Sequence, residues 1–375
     1  MHDNAVWVPF DLLESFMVDV FKGVGVPEND AKTCAEILIT SDKRGIDSHG
    51  FGRLKHIYID RIRDGQINPV TNLEVVREAP ATAVIDGHNG MGQVIGKKAM
   101  QLAIDKAKKY GIGMVAVRNS NHYGIAGYYT LMAAEAGMVG FTGTNARPSI
   151  APTFGVENML GTNPITFGLP TDEDFPFVID CATSVTQRGK IEVYARLGQS
   201  LPEGWVIGED GKYKTDSEQI LVDLVKGSAA LVPLGGMGEE TGGYKGYSYA
   251  TVVEILSAAL QNGAFLKGLL GFADGKKVPY NLGHFFIAIN IEAFTELAEF
   301  KKTAGQILRD LRASKKMPGQ DRIFTAGEKE YEIWLERKDK GAPLDSVEVK
   351  QIKQLQEELG LKGKNVEAIN QLLLV

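Results

Sequence analysis

Two short segments combine a histidine with glycine and small polar residues, a pattern that suits proton transfer. The first holds Ser48, His49 and Arg53, and the second, residues 119–124, holds His122. Imidazole titrates near neutral pH and can act as an acid or a base, while the planar guanidinium of arginine matches a carboxylate. Because the chain has only six histidines, two in such settings are informative. We predict an enzyme acting on a small hydroxy or oxo acid.

Composition restricts the partners. The chain has 375 residues, is 44% hydrophobic and 23% charged, and carries a formal net charge of −6. This acidic balance argues against nucleic acid as the main partner, since phosphate binding requires a basic surface. Cys34 and Cys181 are too few for a disulfide framework or a zinc site, and no cluster has metal-ligand spacing. No apolar run is long enough to span a membrane and residues 1–21 do not resemble a signal peptide, so we expect a cytoplasmic protein.

Hydrophobic periodicity predicts three regions. Helical spacing covers residues 9–64, with a break at 23–27, a possible cap at Asn29 or Asp30, and a third helix over 52–63. Short apolar runs then alternate with helical segments, and charged amphipathic helices follow. We predict an α/β fold with helical segments 1–80 and 293–375 packed together beside a central domain, 81–292. The predicted strands are 83–85, 113–117, 139–142, 164–167, 177–179 and 284–289, and the predicted central helices are 96–110, 127–136 and 247–261.

Two glycine-rich loops could bind phosphate, and neither has a standard spacing. Gly90, Gly92 and Gly96 form G-x-G-x-x-x-G, which departs from the dinucleotide fingerprint, and no acidic residue follows at the ribose position. A tight turn is therefore favoured there. Residues 235–246 lack the ending of a Walker site. Lys245, among glycines ahead of a helix, could contact a cofactor phosphate or lie in a flexible loop, and the residues alone leave both open.

The order of several motifs resembles the malate/L-lactate dehydrogenase family, which lacks a Rossmann fold. The resemblance extends over nearly the whole chain, and the ordered set is specific although each motif alone is weak. Gln187, where relatives often have a smaller residue, and the charged tail from Asp321 depart from the pattern. The motifs are residues 44–53, 119–122, 144–145, 160–164, 179–184, 189–190, 242–246 and 327–329.

The resemblance implies a mixed-sheet domain that binds NAD or NADP in a non-Rossmann manner, flanked by helices from both termini, in a homodimer. It also implies that the Gly90 and Gly92 loop is structural. The implied cofactor contacts are Ile179, Asp180, Cys181, Ala182, Thr183, Ser184, Tyr244, Lys245, Gly327, Glu328 and Lys329. Asp180 could bind a ribose hydroxyl of the cofactor or cap a turn, and we expect the cofactor role.

The resemblance also decides how the reactive residues are interpreted. His49 could cap a helix, His122 could be structural, and Arg53 could form a surface ion pair. We expect instead that His49, His122, Ser48 and Arg53 are catalytic, with Arg53 holding the substrate carboxylate. Arg147 is a second candidate for substrate binding, the alternative being a solvated turn. Of the other histidines, we expect three to be structural: His56, His88 and His284.

These observations predict an NAD(P)-dependent 2-hydroxyacid dehydrogenase for a small carboxylate such as malate, lactate or sulfolactate. Two alternatives stay open: a reductase of a cyclic imine such as piperideine-2-carboxylate, and a non-catalytic nucleotide-binding regulator. The sequence does not select the acid, NAD against NADP, or the histidine that transfers the proton.

Overall fold

The computed structural model describes residues 5–373, and its centre is a mixed seven-stranded sheet. The strands are β1 Val6–Val8, β2 Glu74–Glu78, β3 Thr82–Asp86, β4 Ile112–Ser120, β5 Met138–Thr144, β6 Ile165–Leu169, β7 Phe177–Cys181, β8 Val206–Gly208, β9 Tyr213–Lys214, β10 Ala229–Leu231, β11 Phe272–Ala273, β12 Lys276–Lys277, β13 Leu282–Asn290 and β14 Ala342–Leu344. The central order is β2-β3-β4-β13-β5-β6-β7. Only the β3–β4 pair among these neighbours is parallel, which confirms the predicted α/β class with a mixed sheet.

Some helices pack against the sheet, and others form a separate helical region. They are α1 Phe10–Gly23, α2 Glu28–Lys43, α3 Asp60–Arg63, α4 Gly92–Tyr110, α5 Gly127–Glu135, α6 Arg188–Arg196, α7 Ser217–Lys226, α8 Gly243–Ala258, α9 Leu297–Ala313, α10 Glu328–Arg337, α11 Ser346–Leu359 and α12 Lys364–Leu372. Short 3-10 turns lie at 47–49 and 51–53, before a π-helical turn at 54–59. The six predicted strands and three predicted central helices are all present, most of them longer than predicted.

The sheet is buried on both faces at its centre. Phe285 and Phe286, adjacent in β13, are both inaccessible to solvent, although their side chains point to opposite faces. Helix α4 lies against β4 at close range, because a Cβ on Gly113 would come within 2.0 Å of the Ala103 carbonyl oxygen. Both β4 and β5 are antiparallel to β13, so they run in the same direction. The loops that follow β4 and β5 therefore leave the sheet at the same end of its strands.

A second core joins residues from both ends of the chain. Leu13 and Phe16 of α1 lie in one buried cluster with Ile352 of α11 and Ile369 of α12, and β1 pairs with β14. Helix α9 takes a different position, since Arg309 pairs with Asp172 beyond β6. The division of the chain into three segments stays a prediction.

A small lobe between β7 and α8 was not predicted. Strands β8, β9 and β10 form a three-stranded sheet, and Ile191 of α6 and Ile220 of α7 are fully buried in a core that also contains Val206. The individual strands have two or three residues, too short for a clear period-2 pattern.

Two local predictions need correction. The N-cap of α2 is Pro27, which makes no side-chain capping hydrogen bond, and the helix begins at Glu28, so neither Asn29 nor Asp30 caps it. Residues 52–63 are not one α-helix, since the π-helical turn interrupts them.

Candidate active site

His49 and His122 lie side by side, although 73 positions separate them in the sequence. Their ring centroids are 5.8 Å apart and the ring planes differ by 20°. His49 ends the 3-10 turn after α2, and His122 lies in the loop between β4 and α5. The structure therefore brings the two predicted histidine motifs into one site.

Ser48 and Arg53 belong to the same site. The Ser48 hydroxyl lies 2.9 Å from Nδ1 of His49, and Nε of Arg53 donates to the Ser48 carbonyl oxygen. At the start of α6, a Cβ on Gly189 would lie 3.2 Å from a terminal nitrogen of Arg53. No carboxylate within residues 5–373 forms an ion pair with Arg53, so its guanidinium is available to an external anion.

Tyr58 holds His122 in a defined orientation. The Tyr58 hydroxyl lies 2.6 Å from Nδ1 of His122, and the Gly124 N–H donates to that same nitrogen over 3.4 Å. Since an amide N–H can only donate, Nδ1 is the accepting nitrogen. The neutral ring of His122 then carries its proton on Nε2.

Both histidines favour the neutral form. Burial and, to a smaller extent, the charge of Arg53 lower the pKa of His49 to about 4. The pKa of His122 lies well below its usual value, chiefly because of burial, and next because of His49 and the charges of Arg61 and Arg53. A neutral imidazole can accept a proton, and an anion bound beside the cations would raise both pKa values.

Two acidic residues, Asp42 and Asp47, fix the position of the loop that carries His49. The buried carboxylate of Asp42 accepts the N–H of Phe51 at 2.9 Å, and a Cβ on Gly50 would overlap that carboxylate. Asp47 forms an ion pair with Arg337 of α10, and Arg337 also donates to the Asp42 carbonyl oxygen at 2.8 Å. The C-terminal helical region thereby fixes the loop that presents Ser48, His49 and Arg53.

The glycine loop before α4 supports the second histidine. A Cβ on Gly92 would lie 2.4 Å from the His122 carbonyl oxygen, so only glycine permits this approach. The Asn121 side chain donates to the carbonyl oxygens of Asn89 and Gly90 at 2.9 and 3.0 Å. These contacts agree with a structural role for the Gly90 and Gly92 loop.

The structural interpretation of His284 also agrees with its contacts. Its two ring nitrogens each lie 2.7 Å from a hydroxyl, that of Thr144 at the end of β5 and that of Ser120 at the end of β4. His284 is fully buried, which lowers its pKa to about 3. His56 and His88 contact Asp60 and Glu74, respectively.

Arg147 is exposed and lies in the loop after β5. Asn163 holds this loop, since its side-chain oxygen accepts the N–H of Ala146 at 3.2 Å. The charge of Arg147 acts on Arg61, whose pKa is lowered chiefly by burial. Arg61 and Tyr58 were missed as functional candidates, because in the sequence both read as positions on an amphipathic helix.

The predicted cofactor segments adjoin one another. The N–H of Leu234 donates to the Thr183 carbonyl oxygen at 2.9 Å, and Ser184 pairs with Pro233. A Cβ on Gly246, in the first turn of α8, would lie 2.1 Å from the Leu234 carbonyl oxygen. Residues 233–234 therefore contact both segment 179–184 and the start of α8, where Tyr244 and Lys245 lie.

These predicted contact residues differ in what their side chains offer. Asp180 is already engaged, since it accepts the N–H of Gly127 at 2.7 Å and the Thr166 hydroxyl at 3.1 Å. Burial raises its pKa, an effect those hydrogen bonds oppose. Cys181 is half-buried, Ala182, Thr183 and Ser184 are buried, and Ile179, Tyr244 and Lys245 are exposed. The exposed side chains are those free to meet a ligand directly.

The turn 327–329 lies at the opposite end of β7. A Cβ on Gly327 would lie 2.6 Å from the Pro176 carbonyl oxygen. The buried carboxylate of Glu328 accepts the N–H of Thr325 at 2.9 Å and pairs with Arg322, so it stabilises the start of α10. Lys329 is exposed. Cofactor binding by these three residues stays a prediction.

Sequence comparison finds close relatives over the full fold. Residues 8–353 match the malate/L-lactate dehydrogenase family. A malate dehydrogenase of Pyrococcus abyssi is 46% identical over 364 residues, which cover 97% of this chain and 98% of the relative. An L-sulfolactate dehydrogenase of Methanocaldococcus jannaschii is 40% identical over 350 residues, covering 93% and 96%.

Structural comparison agrees. The crystal structure of malate dehydrogenase from Entamoeba histolytica superposes with a TM-score of 0.93 at 46% identity, covering 96% of this chain and 99% of that one. The predicted resemblance is thus confirmed in both sequence and structure.

Proposed function

The chain belongs to the malate/L-lactate dehydrogenase family and is a hydroxyacid dehydrogenase, and from this premise we propose that it transfers a hydride between NAD(P) and a small 2-hydroxy or 2-oxo acid. The observation that supports this most is the pair of stacked, neutral histidines beside the guanidinium of Arg53, which has no carboxylate partner in residues 5–373. Malate, lactate and sulfolactate are the substrate types to test first.

In the oxidising direction, one of the two imidazoles accepts the proton of the substrate hydroxyl. Both His49 and His122 are neutral before substrate binds, so either can act as the base. Arg53 binds the substrate carboxylate and fixes the angle at which C2 meets the cofactor. The Ser48 hydroxyl orients His49. In the reducing direction the resulting imidazolium returns the proton to the developing oxyanion.

The residues at the start of α8 fit a nucleotide cofactor. The helix begins at Gly243 after Gly242 in the left-handed conformation, with no acidic residue in its first turn. Tyr244 and Lys245 are exposed there, so a positive charge and the helix N-terminus can meet a phosphate. When bound, the nicotinamide supplies the hydride acceptor or donor. We propose that 179–184 and 327–329 complete this site and leave NAD and NADP as alternatives.

We propose further that the chain forms a homodimer in the cytoplasm. Helix α8 exposes Tyr249, Val252 and Ile255, each about half accessible, a face suited to a second copy. Cys34 and Cys181 are free thiols, as a reducing compartment requires. No helix within residues 5–373 is long and apolar enough to cross a membrane.

Absorbance at 340 nm tests the proposed reaction. NADH and NADPH are each mixed with the protein and with oxaloacetate, pyruvate, sulfopyruvate or piperideine-2-carboxylate. We expect oxidation with at least one oxoacid, and at least about 100-fold slower turnover in His49→Gln and His122→Gln if each takes part in proton transfer. Activity on the imine alone would instead select an imine reductase, and nucleotide binding without turnover would select a regulator.

A further inference from the structure

Arg61 is a half-buried cation that the reaction described above does not require. It lies in α3, and its guanidinium carbon stands 4.1 Å from the centroid of the Tyr280 ring. No carboxylate within residues 5–373 pairs with it. Arg63, two positions later in the same helix, pairs with Glu358. A half-buried guanidinium without a carboxylate partner in residues 5–373 calls for an explanation, because removing an isolated charge from water is costly.

The contact between Arg61 and Tyr280 is built into the fold. The buried Gln66 side chain donates to the carbonyl oxygens of Gly271 and Val278 at 3.1 and 2.9 Å, which fastens this loop to the end of α3. A Cβ on Gly271 would come within 2.6 Å of the Tyr280 ring, so a glycine is needed to seat it. The flat ring of Tyr280 therefore holds the guanidinium in place through a cation–π contact.

Arg61 lies close to the histidine site. It follows Tyr58 by three residues, a spacing that makes neighbours on a helix, and the Tyr58 hydroxyl lies 2.6 Å from Nδ1 of His122. The charges agree with this position, because Arg61 adds to the effect of burial in lowering the pKa of His122, and Arg147 and Arg53 add to the effect of burial in lowering the pKa of Arg61. A substrate with one carboxylate, bound by Arg53, leaves the charge of Arg61 uncompensated. A second anionic group on the substrate would offset it.

We propose that Arg61 binds a second anionic group of the substrate, so that the enzyme selects 2-oxo and 2-hydroxy acids with two negative charges. Tyr280 positions the guanidinium, and Arg147 adds to the positive potential. The planar fork of Arg61 matches the two oxygens of a carboxylate and can also pair with two of the three oxygens of a sulfonate. The inference rests on the proposed dehydrogenase function and concerns selectivity within it.

The kinetic test compares Arg61→Met with Arg63→Met as the matched control. Oxaloacetate and pyruvate are measured with each protein, since they share the 2-oxo acid group and differ in the second carboxylate. We expect Arg61→Met to lower kcat/KM for oxaloacetate about 100-fold, mostly through KM, and to change that for pyruvate less than about 3-fold, as loss of a charged hydrogen-bonding partner predicts. Arg61→Lys should have a kcat/KM for oxaloacetate between the values of wild type and Arg61→Met. Arg63→Met should match wild type on both substrates. Equal losses on both substrates, or none on oxaloacetate, would overturn the inference.

A binding test separates this inference from the proposed reaction. Thermal unfolding is followed with malonate or succinate and with acetate, none of which needs turnover. We expect the dicarboxylates to raise the Tm of wild type and of Arg63→Met but not of Arg61→Met. An absent shift in wild type, or an equal shift in all three proteins, would refute the role of Arg61 even if the enzyme reduces oxoacids. The proposed reaction fails separately if wild type oxidises neither cofactor with any oxoacid.

Discussion

Removing the Tyr58 hydroxyl should impair the reaction more than the fold. The hydroxyl lies 2.6 Å from Nδ1 of His122, while the other donor to this nitrogen, the N–H of Gly124, is 3.4 Å away. A hydrogen bond between neutral groups contributes about 1 to 1.5 kcal/mol, and 1.4 kcal/mol corresponds to about tenfold in rate. In Tyr58→Phe the imidazole of His122 keeps only the longer hydrogen bond, from the N–H of Gly124. We therefore expect kcat to fall about 10-fold while KM stays within about 2-fold.

The pH profile gives an independent readout of the same contact. A donor to Nδ1 favours the neutral imidazole, so its loss raises the pKa of His122. The acid limb of kcat/KM for hydroxyacid oxidation should then move to higher pH by about half a unit to one unit. Merely looser packing around residue 58 would lower stability without moving this limb.

Tyr128→Phe is the matched control. The Tyr128 hydroxyl also makes a 2.6 Å hydrogen bond, to the carboxylate of Glu36, but away from the two histidines. Both variants should lose about 1 kcal/mol of unfolding free energy in urea, and only Tyr58→Phe should lose activity. Equal kcat values and unshifted profiles in the two variants would refute the assignment of Tyr58 as the group that orients His122.

Three further predictions concern the supports of the site, its pH dependence and the assembly. Arg337→Met removes the ion pair with Asp47, so we expect about tenfold lower kcat/KM and a lower Tm. An unchanged kcat/KM would contradict the role of this ion pair in fixing the loop with His49. Burial raises the pKa of Glu348 to about 7, above its ordinary value, so its contribution to stability is lost as pH rises from about 4.5 to 7. Urea unfolding should therefore show Glu348→Gln gaining up to about 3 kcal/mol on wild type between pH 5 and pH 8, and a pH-independent difference would count against it. Ile255→Glu places a charge on the exposed face of α8, and light scattering should report a monomer where wild type is a dimer; a dimer in the variant would place the interface elsewhere.

Residue type and the resemblance to the dehydrogenase family together singled out the residues that the structure brings together around His49. His49, His122, Ser48 and Arg53 stand out because few side chains transfer protons near neutral pH or bind carboxylates in a plane. The six central strands were predictable for a similar reason, since their apolar runs are bounded by glycine.

Partnerships across the fold could not be predicted in this way. Tyr58 and Arg61 look like ordinary helix positions until the loop with His122 and the ring of Tyr280 are brought beside them. Asp180 shows the same limit, because its hydrogen bonds to Gly127 and Thr166 depend on the neighbouring strand and helix. The strands of the small lobe are too short for any periodicity to reveal them.

The central claim is a direct hydride transfer, and isotope tracing tests it most directly. Each 4-deuterated epimer of the reduced nicotinamide cofactor is incubated with the protein and the oxoacid it reduces, and the hydroxyacid product is analysed by mass spectrometry. With one of the two epimers, the account predicts a product one mass unit heavier, with deuterium at C2, and His122→Gln and His49→Gln should form it more slowly at unchanged isotopic content. A product without deuterium from either epimer, which means that the hydrogen at C2 came from solvent, would contradict a hydride transfer between the cofactor and the acid.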